Sequence, residues 1–235
     1  MRLQSAIFDM DGTLLDSMRM WGDLWRDFLR TQGRELQEDF WETVKPTTML
    51  EGAVYCQREY ALPLSPEEIV SLLEARVADF YAHEVRPKPG VVPFLSLLKM
   101  EGVWMYVATG TDRHLAEPAL RHAGIDGYFR GVLTTSEIGR EKAKSAEIFE
   151  RAMIRLCSNK RDTIIFEDSL PAIRTAKAAG FRVAAVYESA FERDQPEIAR
   201  ISDYYIRSFE EMFQKDGHPL EADGQTLETE GAAAL

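Results

Sequence analysis

The chain has 235 residues, 45% of them hydrophobic and 29% charged, with a net charge of −11 at pH 7. That length suffices for one large domain or a domain with an inserted module, and the acidic balance without a basic cluster argues against nucleic acid or an anionic membrane as partner. No apolar run approaches the roughly 20 residues of a membrane span, Cys56 and Cys157 form neither a metal spacing nor a disulfide framework, and the amino terminus enters a strand with no room for a signal peptide, so a cytoplasmic protein is expected.

In chain order, the apolar run Ala6-Ile7-Phe8 predicts a buried strand that stops at Asp9-Met10-Asp11-Gly12. Met18, Trp21, Leu24, Trp25, Phe28 and Leu29 then recur at helical spacing, with Asp16 or Ser17 as a cap and Gly33 as an end signal. A second helix is expected around Phe40 to Val44, broken near Lys45-Pro46, and a third carries Leu50, Ala53 and Val54. Ser65-Pro66-Glu67-Glu68 has the cap, first-turn proline and acidic residue of a capping box, opening a helix through Phe80. The interval from Met18 to about Val85 therefore holds only helices, too many for a simple crossover. It reads as an inserted module with its own core, in which Trp21, Trp25 and Trp41 pack. Arg86-Pro87-Lys88-Pro89-Gly90 marks the return.

From there strands and helices alternate. Strands are expected at Val103–Ala108, Gly131–Leu133, Thr163–Phe166, Val183–Val186 and Tyr204–Ile206, with helices at Val91–Met100, up to Ala123, Ser145–Leu156 and Pro171–Ala179. The pattern predicts an α/β fold, a doubly wound parallel (Rossmann-like) sheet carrying an all-helical insertion. The expected division is a core domain of residues 1–15 and 88–214, a helical domain of 16–87 and a disordered acidic tail of 215–235.

Four strand ends carry polar residues: Asp9 and Asp11, then Thr109, then Lys142 and Lys144 beyond Leu133, then Glu167 and Asp168. Ligands of open parallel sheets gather at such ends. Two acidic clusters on separate strand ends repel unless a cation lies between them, and a hard divalent ion suits oxygen ligands. With such an ion, one carboxylate can attack phosphorus and a second can move the leaving-group proton. A threonine hydroxyl and a lysine ammonium can hold the phosphoryl group. A calcium-loop reading of Asp9–Asp11 fails because Leu14 and Leu15 offer no alternate oxygen ligands. The histidines show no metal spacing and are assigned to surface or caps.

Asp9-Met10-Asp11-Gly12-Thr13-Leu14-Leu15-Asp16-Ser17, together with Phe166-Glu167-Asp168-Ser169, resembles the haloacid dehalogenase-like hydrolase superfamily, in particular its beta-phosphoglucomutase-like phosphatases with a helical cap after the first strand. The resemblance spans residues 3 to 213. It implies Asp9 as the nucleophile that forms an aspartyl-phosphate and Asp11 as general acid and base. It implies magnesium held by Asp9, the Asp11 backbone carbonyl and Asp168, with Glu167 supporting. Thr109 and Gly110 would bind the phosphoryl group, with Lys144 preferred and Lys142 the alternative. Gly110 departs from the hydroxyl or asparagine usual after the threonine, and Lys142-Ala143-Lys144-Ser145 aligns ambiguously by one residue.

The expected function is a magnesium-dependent phosphatase acting on a small phosphorylated metabolite. Asp11 points to an oxygen leaving group, since a halide needs no proton. A sugar-phosphate mutase is the second reading, weakened because Thr43–Leu50 lacks a glycine-x-x-arginine loop. A non-catalytic binding protein on the same fold is the third, disfavoured because neither nucleophile nor metal ligand is lost. The cap is expected to open and close over the sheet edge, hinged at Leu15–Ser17 and Arg86–Gly90.

Overall fold

A computed structural model of the chain describes residues 3–37, 40 and 49–213. The chain divides into two compact units, one formed by the residues up to Met18 and from Val85 onward, the other by Arg19–Glu84. The first contains a six-stranded parallel sheet: β1 (Ser5–Phe8), β2 (Trp104–Thr109), β3 (Val132–Thr134), β4 (Thr163–Glu167), β5 (Arg182–Val186) and β6 (Tyr204–Ile206), in the order β3-β2-β1-β4-β5-β6. The doubly wound parallel sheet is therefore present as expected. β1 is central, and the strand order reverses across it. That reversal opens a crevice at the carboxyl ends of β1 and its neighbours.

The strands read as near-continuous apolar runs because both faces of the sheet are covered. On one face Phe8 stacks on Phe166 with ring centroids 4.4 Å apart, and Phe94 and Phe209 close around them. On the other face Ile7, Tyr106, Leu133, Phe149, Ile165 and Ile173 are buried together. Truncating such a phenylalanine to alanine costs about 3–5 kcal/mol, so the positions of β1 and β4 are strongly fixed.

Helices follow where their signals stand. Gly102 and Gly124 sit just beyond the helices Val91–Met100 and Arg113–His122, both with positive φ. Gly90 has φ +80°, and a Cβ there would lie 2.4 Å from the Glu210 backbone nitrogen, so only glycine fits. A short helix, Thr135–Ile138, was not expected; Thr134 and Glu137 form its capping box. The stretch Leu14–Asp16 is bonded to the returning chain, through Asp16 N–H to the Arg86 carbonyl and Lys88 N–H to the Leu14 carbonyl, both 2.9 Å.

The helical unit contains the helix Met18–Thr31 from Arg19 onward, with Met49–Glu59 and Pro66–His83. Ser65 and Glu68 complete the expected capping box. Leu24, Trp25, Phe28, Leu29, Phe40, Ala53, Cys56, Leu73, Val77 and Tyr81 are buried in it, and Trp21 donates to the Tyr81 hydroxyl at 3.1 Å. Val44, Trp41, the Lys45-Pro46 break, residues 43–48 of the Thr43–Leu50 stretch, His218 and the expected tail lie outside the described residues. No described helix is long and apolar enough to cross a membrane.

The two thiols differ sharply. Cys56 is fully buried, and burial pushes its thiol up to about 12, whereas Cys157 is exposed. Because the thiolate is the reactive form, one thiol per native chain is expected to react quickly with a disulfide reagent, and the second only after unfolding. Two fast-reacting thiols in the native protein would contradict this packing.

Candidate active site

β1 delivers Asp9 and β4 delivers Glu167 and Asp168 to neighbouring positions. Phe8 pairs with Phe166 in the sheet register, and Asp9 N–H donates to the Phe166 carbonyl at 2.9 Å. The next residues along each strand are therefore placed side by side by the hydrogen-bond ladder itself. One carboxylate oxygen from each of Asp9, Glu167 and Asp168 lies within 4.8 Å of the others. All three side chains are buried, Glu167 completely.

Three acids at this density need compensation. Lys142 ion-pairs with Asp9 and lies 2.9 Å from Glu167. Thr13 donates to Asp168 at 2.9 Å, and Ser169 donates to Glu167 through its hydroxyl and its backbone N–H. The compensation is incomplete. Burial, and then the Glu167 charge, raise Asp9 to about 7 despite Lys142. Asp168 is raised by burial, Glu167 and Asp9. Burial alone would lower Lys142, yet the Asp9, Glu167 and Asp168 carboxylates drive it above its ordinary value, so it stays charged.

The donor set fits a hard divalent cation. It is all oxygen, it is buried, and its negative charge exceeds that of Lys142. The loop after β1 is shaped around the same carboxylates. Gly12 has φ +79°, and a Cβ on it would lie 2.2 Å from the Asp168 Oδ2. Any larger residue would displace the Asp168 carboxylate from its seat.

Asp11 stands apart from that cluster in its bonding. Ser17 donates to its Oδ1 and Thr111 to its Oδ2, both at 2.7 Å. Ser17, expected as a helix cap, is thus engaged with Asp11. Thr109, at the end of β2, is buried; its hydroxyl oxygen accepts the Thr111 N–H at 3.0 Å. Gly110 follows it, with open space where a Cβ would stand and its carbonyl facing the Thr135 hydroxyl at 3.4 Å.

The two candidate lysines, Lys144 and Lys142, are placed differently. Lys144 is 76% exposed, pairs with Glu141 and lines an open surface cleft with Thr135, Ser136 and Arg140. Lys142, 15% exposed, is the lysine that reaches the carboxylates. Residues 141–146 form no regular helix, and the helix opens only at Glu147, so the stretch likened to a helix entry at Lys144 precedes the helix. Sequence reasoning also missed Thr13, Ser17 and Thr111. The hydroxyl at Thr111, one place after the unusual Gly110, was the available signal for the last.

Comparison with known proteins follows the same lines. The family model described as haloacid dehalogenase-like hydrolase matches residues 3–180. The chain is 30% identical over 188 residues to a bifunctional riboflavin kinase/FMN phosphatase of Arabidopsis thaliana, a match covering 77% of this chain. It spans about half of that plant protein, 48%. It is 24% identical to a phosphorylated carbohydrates phosphatase of Thermotoga maritima, over 80% of this chain and 87% of the relative. The crystal structure of a putative beta-phosphoglucomutase from Thermotoga maritima superposes with a TM-score of 0.75 at 21% identity, covering 88% of this chain and 95% of that one, and shows the shared fold.

The lysine assignment has a direct test in stability. Lys142→Met leaves three buried carboxylates without their cation and is expected to cost about 3 kcal/mol or more of unfolding free energy in metal-free buffer. Lys144→Met is expected to fall within about 0.5 kcal/mol of the parent. Denaturant melts of the two variants check this, and equal midpoints would contradict it.

Proposed function

This chain belongs to the haloacid dehalogenase-like hydrolases and is a phosphoric monoester hydrolase, and we propose that it releases phosphate from small phosphorylated carbohydrates through an aspartyl-phosphate on Asp9. The observation that carries the reading is the buried triad Asp9, Glu167 and Asp168, over-supplied with negative charge and adjoined by Lys142. The named activity of the Thermotoga maritima relative supports the substrate class. In this reading Asp9, the Asp11 backbone carbonyl and Asp168 would hold magnesium, with Glu167 in support. Such an ion would supply charge neutralisation for the phosphoryl oxygens and keep the Asp9 carboxylate ionised.

The Asp9 carboxylate attacks phosphorus as the ester P–O bond breaks, and Asp11 gives its proton to the departing sugar oxygen. Water then attacks the phosphorus of the aspartyl-phosphate. Asp11 takes that proton, phosphate leaves, and the Asp9 carboxylate is restored. The two hydroxyls on Asp11 support this role, because they fix the carboxylate and can reverse their donor direction as it changes protonation. The Thr109 hydroxyl oxygen accepts from Thr111, which leaves its own proton to donate to a phosphoryl oxygen. Gly110 offers a backbone N–H without side-chain bulk, and Lys142 contributes positive charge beside the nucleophile.

Phosphate release from fructose 1-phosphate and from p-nitrophenyl phosphate is expected to require magnesium and to stop with a chelator. Asp9→Asn is expected to lower turnover at least about a thousandfold while leaving thermal stability equal or higher, since one charge leaves an acidic cluster. Appreciable turnover by that variant would rule out Asp9 as nucleophile. Conversion of a hexose phosphate into its isomer without phosphate release would favour a mutase instead.

A further inference from the structure

Lys88 is a part-buried cation that the proposed chemistry does not use. It lies on the returning chain, 15% exposed, and its Nζ donates to the Gly12 carbonyl at 2.7 Å, the Tyr187 carbonyl at 2.8 Å and Glu188 Oε2 at 2.8 Å. Its backbone N–H donates to the Leu14 carbonyl at 2.9 Å. One residue thus binds two carbonyls of the loop that follows β1. Glu188 is itself fixed: its Oε1 accepts from Ser189 and from the Ala190 N–H, both at 3.1 Å. The anchor is therefore the rigid end of β5, and the object held is the loop between Asp11 and Ser17.

That loop is internally closed. Leu14 and Leu15 donate to the Met10 carbonyl, and Gly12 donates to the Leu15 carbonyl. It moves as a piece, so a hold on the Gly12 carbonyl is a hold on Asp11, one residue before. Gly12 also forms the floor under Asp168, where even a Cβ has no room. We propose that Lys88 is a positioning residue for the proposed phosphatase chemistry: it ties the Asp11–Gly12 turn to the end of β5 and so fixes the proton-donating carboxylate against the β1–β4 carboxylate cluster.

The competing account is that Lys88 only neutralises Glu188. Removing Lys88 alone cannot separate the two, because it strands a buried carboxylate and destabilises the fold. The double variant K88M/E188Q removes both charges and still lacks the donor to Gly12. If Lys88 positions Asp11, this variant melts near the parent, yet the amides of Gly12, Leu14 and Leu15 exchange with solvent faster. Its kcat/KM for glycerol 1-phosphate, whose alkoxide must be protonated to leave, falls about a hundredfold. Its kcat/KM for p-nitrophenyl phosphate, whose phenolate leaves with little help, falls less than about tenfold. Should K88M/E188Q not fold, K88R keeps the charge opposite Glu188 but cannot aim three short single donors from one planar group, and the same pattern is expected of it. Unchanged amide exchange, parental rates on both esters, or equal losses on both would overturn the proposal. A parent enzyme that releases phosphate from neither ester would overturn the phosphatase reading instead, and amide exchange would still decide the role of Lys88.

Discussion

The fold forces three carboxylates into one buried place, and much of the surrounding structure answers that constraint. β1 and β4 are hydrogen-bonded neighbours, with Phe8 stacked on Phe166 across the ladder. The residues that follow, Asp9 on one side and Glu167-Asp168 on the other, have no freedom to move apart. Sheet pairing and aromatic burial thus hold together charges that would separate in water. Tens of kilocalories of Born energy would be at stake for isolated ions in a dry interior, so every nearby cation and hydroxyl matters. Lys142, Thr13 and Ser169 each reach that cluster, while burial first and the Glu167 charge second still raise Asp9 and Asp168.

The backbone around the cluster is shaped to the same end. Gly12 adopts a left-handed conformation and lies directly under Asp168, so the turn after β1 and the acid after β4 share a contact surface. Beyond that turn, Leu14–Asp16 is bonded to Arg86–Lys88, where the chain returns from its helical excursion. The segments that leave and re-enter the sheet-bearing unit are therefore fastened to one another a few residues from Asp11. Ser17 and Thr111 add hydroxyl contacts to Asp11 from two different segments.

What could be read from sequence was local, and what could not was remote. The placement of Asp9, Glu167 and Asp168 at the ends of β1 and β4, with Asp11 in the turn after β1, was legible because a strand end needs only a few residues to recognise. The alternating order of strands and helices was legible from changes of hydrophobic period. Lys142 was not distinguished from Lys144, because both lie in a non-repeating loop whose path is set by contacts 25 residues away at Glu167. Thr111 on Asp11 is separated by 100 residues, and Lys88 on Gly12 by 76, so no window of sequence contains either pair. The helix Thr135–Ile138 is a different kind of miss. Thr134-Thr135-Ser136-Glu137 carries a complete capping-box signal, and its brevity hid it behind the β3 pattern.

Whether Asp9 accepts the phosphoryl group, as proposed, is open to direct measurement. The most direct is rapid acid quench of the enzyme during turnover of a phosphorylated sugar with magnesium, followed by peptide mass spectrometry. The account predicts a transient phosphoryl group on the peptide bearing Asp9, localised to that residue. Turnover accompanied by phosphate on another residue, or by none at any quench time together with inversion of configuration at a chirally labelled phosphorus, would contradict it.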